Sequence, residues 1–141
     1  KARITKAFQD LSAIIDAAGL CILFAVRNLA GKKLDVPPIG ILEYLYAATG
    51  AGYSLETLMK AGERIITAER QFLVQAGFSR RDDTLPKRLT TEPLPDGPAK
   101  GMVCHLEEML DEYYEAQNWT ADGLPKAERL YVLGLAKEVG E

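Results

Sequence analysis

The sequence is short of the side chains that usually handle metals and protons: its 141 residues include one His, two Cys and one Trp. With His105 alone, the Glu-x-x-His pairs that build a di-iron helical bundle cannot be assembled. Cys21 and Cys104 lie far apart and do not make a disulfide scaffold, so a reducing, cytoplasmic setting is the default. No long hydrophobic run is present. The stretch from Ala17 to Val26 stops at Arg27, well below the ~20 residues a membrane span needs. Positive charge is not in excess either, the net charge being -3, which disfavours a phosphate backbone or an anionic membrane as partner. Internal repeats and low-complexity segments are also missing.

What is there reads as an ordinary globular chain, 48% hydrophobic and 26% charged. The length supports one domain, residues 1–141, with a real core, but not a cofactor enzyme with separate cofactor and substrate domains. The chain opens Lys1-Ala2-Arg3-Ile4 with helical periodicity at once and no signal segment, so it is expected to continue a longer polypeptide.

The hydrophobic spacing predicts an all-α, irregular multi-helix domain. Ile4, Ala7, Phe8, Leu11, Ile14, Ile15 and Ala18 share one helix face, and Gly19 is placed to end that helix as a left-handed cap. Leu20 to Val26 is a solid apolar run, read as helix. Gly31 to Pro38 is a connection, and Pro37-Pro38 can open a helix through Leu42 and Leu45 to about Thr49. After Gly50-Ala51-Gly52, Ser54 is an N-cap with Glu56 near the positive helix end. A long helix follows, with the stripe Leu55, Leu58, Met59, Gly62, Ile65, Ile66, Phe72, Leu73 and Ala76. Lys60, Glu63, Arg64, Glu69 and Arg70 fall on its other face, and Gly77 closes it.

Residues 78–101 carry Pro86, Pro93, Pro95, Gly97, Pro98 and Gly101, a density that predicts a long loop without regular structure, which is expected to serve as a contact surface. Val103, Leu106, Met109, Leu110, Tyr113 and Tyr114 predict a further amphipathic helix. A turn at Asp122-Gly123 and a short last helix through Leu130 and Leu133 complete the chain. His105, Glu108 and Glu112 share a face of the Val103–Tyr114 helix, but a solvated or capping role fits them better than metal binding. Cys104 reads as a small core filler. Arg80, Arg81, Lys87 and Arg88 around Asp82-Asp83 suit either ion pairs within the domain or docking of an acidic electron carrier, the former being the commoner case. Tyr44, Tyr46, Tyr113, Tyr114 and Trp119 read as core and rim aromatics.

One segment carries chemistry. Asp16-Ala17-Ala18-Gly19-Leu20-Cys21 sets a carboxylate in the last turn of a helix, a glycine at the bend and a thiol just past it. A carboxylate accepts a two-donor edge, such as the amino group and ring N–H of a pterin, as a charge-assisted fork. A glycine lets the backbone turn beside a bulky ligand, and a thiolate is the usual ligand of an iron-sulfur cluster. Taken alone, the same residues also describe an ordinary helix end with a buried cysteine.

The segment resembles the Asp-x-x-Gly-Leu-Cys motif of the aldehyde ferredoxin oxidoreductases, and later text agrees in order and spacing. Gly77-Phe78-Ser79-Arg80-Arg81-Asp82-Asp83-Thr84-Leu85-Pro86, Glu92-Pro93-Leu94, Gly97-Pro98-Ala99-Lys100-Gly101, Met109-Leu110-Asp111-Glu112-Tyr113-Tyr114, Trp119, Gly123-x-Pro125 and Leu133-Gly134-Leu135 are similar to that family over about residues 8–135. The resemblance implies the C-terminal helical part of an enzyme that oxidises aldehydes to carboxylic acids, with ferredoxin as acceptor. It implies a tungsten or molybdenum bis-pterin contacted by Asp16 and Leu20, and a 4Fe-4S cluster with Cys21 as one ligand. It places the catalytic acid-base groups and the other cluster cysteines upstream, so no residue here is catalytic and the isolated chain is expected to be inactive. Partners implied are the upstream domains of the same polypeptide, ferredoxin and a small aldehyde, with room for a homodimer.

Departures from the family pattern are Leu73 and Gln75, within Arg70-Gln71-Phe72-Leu73-Val74-Gln75-Ala76-Gly77 where Arg-x-Phe-Asn-x-Arg-x-Gly is usual. Gln117 and Asn118 stand where Arg-Gly precedes Trp, and Lys126 replaces a capping Thr. The other readings are a related tungsten-dependent reductase of aromatic thioesters and a helical scaffold that has lost the cofactor.

Overall fold

The computed structural model describes residues 1–23 and 40–136. In chain order the elements are α1 (Ala2–Ala17), α2 (Ile41–Thr49), α3 (Leu55–Gln75), a 3-10 turn (Arg80–Asp82), α4 (Lys87–Thr91), α5 (Leu106–Gln117) and α6 (Ala127–Val132). Among the described residues there is no β-strand, only an isolated bridge between Trp119 and Pro125, so the all-α expectation holds. No helix of the described residues is long and apolar enough to cross a membrane.

The centre of the fold is α1, which packs against α3 and α5. Its buried residues are Asp10, Leu11, Ala13, Ile14 and Ile15, while the front of the expected stripe, Ile4 and Phe8, stays exposed. Ile14 joins Ile41 of α2 and Leu58 of α3 in one apolar cluster, each side chain contributing roughly 1.5–3 kcal/mol by leaving water. The helices come close because Gly62 lies against the backbone of Asp10; a Cβ there would stand 2.3 Å from the Asp10 carbonyl oxygen.

Helix ends follow local chemistry. Ser54 and Thr57 form a reciprocal capping box at the start of α3, as the Ser54 expectation required. Both α1 and α3 stop in the double turn in which two successive N–H groups fold back on the last carbonyls. At α1 the Gly19 and Leu20 N–H groups donate to Asp16 and Ile15; at α3 the Gly77 and Phe78 N–H groups donate to Val74 and Leu73. Lys126 precedes α6 without a side-chain cap, as expected for a residue that cannot accept the bond. Asn118 ends α5 at φ 58, and asparagine is among the few non-glycine residues that adopt this left-handed conformation readily. The Gly-to-Asn departure therefore leaves that turn intact.

Several expectations are corrected. Residues 78–101 are not wholly irregular: Pro86 and Pro93 bracket α4 rather than interrupt it, since proline is tolerated where a helix starts and just after it stops. Val103 and Cys104 precede α5 instead of lying on it, because the Cys104 N–H donates to the Leu89 carbonyl at 2.9 Å and ties this stretch to α4. Cys104 is half-buried, with its thiol 3.8 Å from the Met109 sulfur, and His105 is the exposed residue that precedes α5. Arg70, expected on the polar face of α3, is buried. Past α4 the chain makes a closed loop whose ends meet, Leu94 exchanging backbone hydrogen bonds with Gly101 and Met102. In the run from Leu20, Ile22 and Leu23 are helical; its remainder and the predicted Pro37-Pro38 helix start lie outside the described residues, and α2 is described from Ile41, after Gly40.

Candidate functional site

The turn at Gly19 determines how the Asp16 to Cys21 segment is presented. Gly19 has φ +69 and no atom within 4 Å of where a Cβ would stand, so the backbone bends in open space. Leu20, the residue that follows the bend, turns back onto Leu11 and Ile15, the hydrophobic contact that accompanies such turns. With Leu20 acting as the inward anchor, Asp16 and Cys21 stay at the surface. Neither makes a side-chain hydrogen bond or ion pair among the described residues. Ile22 and Leu23 continue the exposed strip, Leu23 at 77% exposure.

A second polar centre went unrecognised in the sequence. The Arg70 guanidinium grips Asp83 with two bonds of 2.9 and 2.6 Å and donates from Nε to the Gly123 carbonyl at 2.8 Å. Its Cζ lies 5.3 Å from the Trp119 ring and 5.8 Å from the Tyr114 ring. The Tyr114 hydroxyl donates to the same carboxylate. Burial works to raise the Asp83 pKa, but Arg70 and the Tyr114 hydroxyl hold it below the usual carboxylate value; burial and the bond to Asp83 push the Tyr114 phenol up to about 12. Gly123 is fitted into this centre, a Cβ being placed 2.3 Å from Arg70 Nη2.

Arg80 completes the attachment of the loop, pairing with Asp111 at 2.6 Å and Glu107 at 2.8 Å. This supports binding of the loop to its own domain. Glu63 is held below its usual pKa against the desolvation of burial by Lys6 at 2.5 Å and Arg129 at 2.9 Å, whereas burial raises Asp10 despite the same Lys6 at 2.6 Å.

The fold thus leaves a carboxylate and a thiol exposed around the end of α1 and ties the charged loop after α3 to α3 and α5. A family model described as aldehyde ferredoxin oxidoreductase, domains 2 & 3, matches residues 1–135. The chain belongs to that family. It is 46% identical over 136 residues to the tungsten-containing aldehyde ferredoxin oxidoreductase of Pyrococcus abyssi, covering 96% of this chain and 21% of that protein. It is 45% identical over 138 residues to the Thermococcus kodakarensis enzyme of the same name, covering 97% and 22%. The chain thus spans about a fifth of the length of these relatives. Among solved structures, the active site complex BamBC of benzoyl coenzyme A reductase, in complex with 1,5 dienoyl-CoA, superposes with a TM-score of 0.71. It shares 24% identity over 95% of this chain and 19% of that one, a likeness of fold.

Proposed function

We propose that this chain is the C-terminal helical part of a tungsten- or molybdenum-pterin oxidoreductase that oxidises small aldehydes to carboxylic acids and passes electrons to ferredoxin. The observation that carries the reading is the Gly19 corner, where one turn packs Leu20 against the core and leaves Asp16 and Cys21 exposed and without a side-chain partner among the described residues.

The residues fit part of the groups that the family implies. A carboxylate without a side-chain partner among the described residues is free to accept the donor edge of a pterin, and an accessible thiol is free to become one ligand of a 4Fe-4S cluster. Leu20 enters as an apolar contact through the part of its side chain left outside the core. When bound, the metal cofactor supplies the redox chemistry; this chain's residues hold it and orient it. One thiolate and one carboxylate do not replace a four-ligand site, so the isolated chain is inactive on this reading.

The test uses the intact enzyme, purified without oxygen. Cys21→Ser lowers iron below about four per chain and alters or abolishes the cluster's electron paramagnetic resonance signal; Asp16→Asn lowers tungsten or molybdenum occupancy while iron is kept. Unchanged metal content in both variants overturns the residue roles. Iron and tungsten missing from the unsubstituted protein would support a scaffold, and turnover of aryl thioesters in place of aldehydes would support a reductase.

A further inference from the structure

We propose that the groove between α1, α3 and α5 seats a basic segment of the same polypeptide from outside these 141 residues; this rests on the reading of the chain as one part of a larger enzyme. The groove, about 920 Å³ in volume, is bounded by the first turns of α1, by Met59 and Glu63 of α3 and by Glu112, Glu115 and Ala116 of α5. Ile4 on its lining is 60% exposed, an apolar side chain left in water on the helix at the centre of the fold.

The α5 wall carries charge of one sign. The helix has five acidic residues and no basic one, and Arg80 takes only Glu107 and Asp111. Glu108, Glu112 and Glu115 remain, and their spacing puts them on one helix face. Among the described residues no side-chain cation pairs with them. Glu112 meets only the α-amino group of Lys1, at 3.9 Å, which carries no charge within a longer polypeptide. Like charges one turn apart repel and destabilise a helix, so this stripe is stabilised by a counter-charge brought to it.

A second observation points into the same groove. Asp10 lines it and is 2% exposed, yet its Oδ1 has no hydrogen-bond partner, a condition native interiors avoid. Lys6, which pairs with the other Asp10 oxygen at 2.6 Å, is already shared with Glu63 at 2.5 Å. The groove therefore combines an unmet acceptor on Asp10 with the unpaired carboxylates of Glu112 and Glu115.

Spacing decides the class of ligand. Among the described residues no three such side chains converge where a metal ion could be held; carboxylates strung along a helix match a row of ammonium or guanidinium groups. Lysine and arginine also bring apolar stems, which suit Ile4 and Met59. Lys1 and Arg3 make the α1 side of the mouth positive, so the basic face of the segment is turned toward α5. The chain spans about a fifth of its relatives' length, so most of the polypeptide able to supply such a segment lies outside it.

Carbodiimide treatment of the intact enzyme, read by mass spectrometry, tests this. With an added amine, Glu112 and Glu115 are expected to be labelled several-fold more slowly in the native enzyme than in the same enzyme unfolded. Without it, one of them is expected to crosslink to a lysine of the same polypeptide outside residues 1–141. Labelling as fast as in the unfolded enzyme, crosslinks confined to residues 1–141, or protection without any crosslink overturns the proposal. So does a crosslink to a second, isotopically marked copy. Metal content of the same sample separates the two readings: tungsten or molybdenum and iron present with a freely labelled groove removes the docking alone, and a protected, crosslinked groove in a metal-free protein removes the oxidoreductase reading alone.

Discussion

Two carboxylates in this molecule sit near a glycine with positive φ, and they have opposite surroundings. Asp83 has its oxygens occupied by Arg70 and Tyr114, and Gly123 is wedged so tightly beside them that no side chain fits. Asp16 has no side-chain partner among the described residues, and Gly19 bends in free space two residues before an exposed thiol. The first arrangement is complete within the chain and holds the loop after α3 to α5. The second has its bonding capacity turned outward. An Asp and a Gly in a motif do not separate the two cases; the saturation of the carboxylate does.

The contrast can be broken by substitution, beginning with its strongest member. Asp83→Ala leaves the Arg70 charge buried and uncompensated, and is expected to cost about 3–4 kcal/mol, measured as a drop in the denaturant midpoint; a loss under about 1 kcal/mol would mean that the pair is not a stabilising lock. Gly123→Ala adds left-handed strain to a collision with Arg70, together roughly 2–4 kcal/mol. Gly19→Ala meets no neighbour and should cost only about 1 kcal/mol from strain, so equal losses at the two glycines would erase the distinction.

Acid separates the two centres next. The Asp83 pKa is depressed in the folded protein, so its stabilisation is present above the ordinary carboxylate value and is lost as pH falls below it, through the folded value. Acid unfolding of Asp83→Asn should therefore show a shallower stability slope below about pH 4; a slope identical to that of the parent would contradict the pairing. The smallest effect is expected at the open corner: Asp16→Asn should change folding stability by no more than about 0.5 kcal/mol, even as it lowers pterin-metal occupancy of the intact enzyme. A large stability loss there would show that Asp16 is structural.

The periodic features of the fold were legible in the sequence. Leu11, Ile14 and Ile15 declared the buried face of α1, Ser54 the start of α3, and Gly19 and Gly77 the stops, because these depend on residues within one or two turns of each other. Arg70 was misread for the converse reason. Its partners Asp83, Tyr114, Trp119 and Gly123 are distant in sequence, and a charged residue in a polar stripe looks solvated until such a partner is brought up. The helix at Lys87–Thr91 was obscured because prolines were counted as breakers when their positions made them brackets. The Asp16 to Cys21 segment stands out by its motif alone, and what local spacing did not reveal is that Leu20 packs toward the core while Asp16 and Cys21 stay exposed.

The closed loop at Leu94 to Met102 has a practical consequence. Its two ends already meet through backbone hydrogen bonds, and every residue from Thr91 to Met102 is exposed. Inserting a short peptide tag between Asp96 and Gly97 lengthens a tip whose closure entropy grows only slowly with size. It is therefore a suitable place for an affinity handle or a fluorophore on this chain.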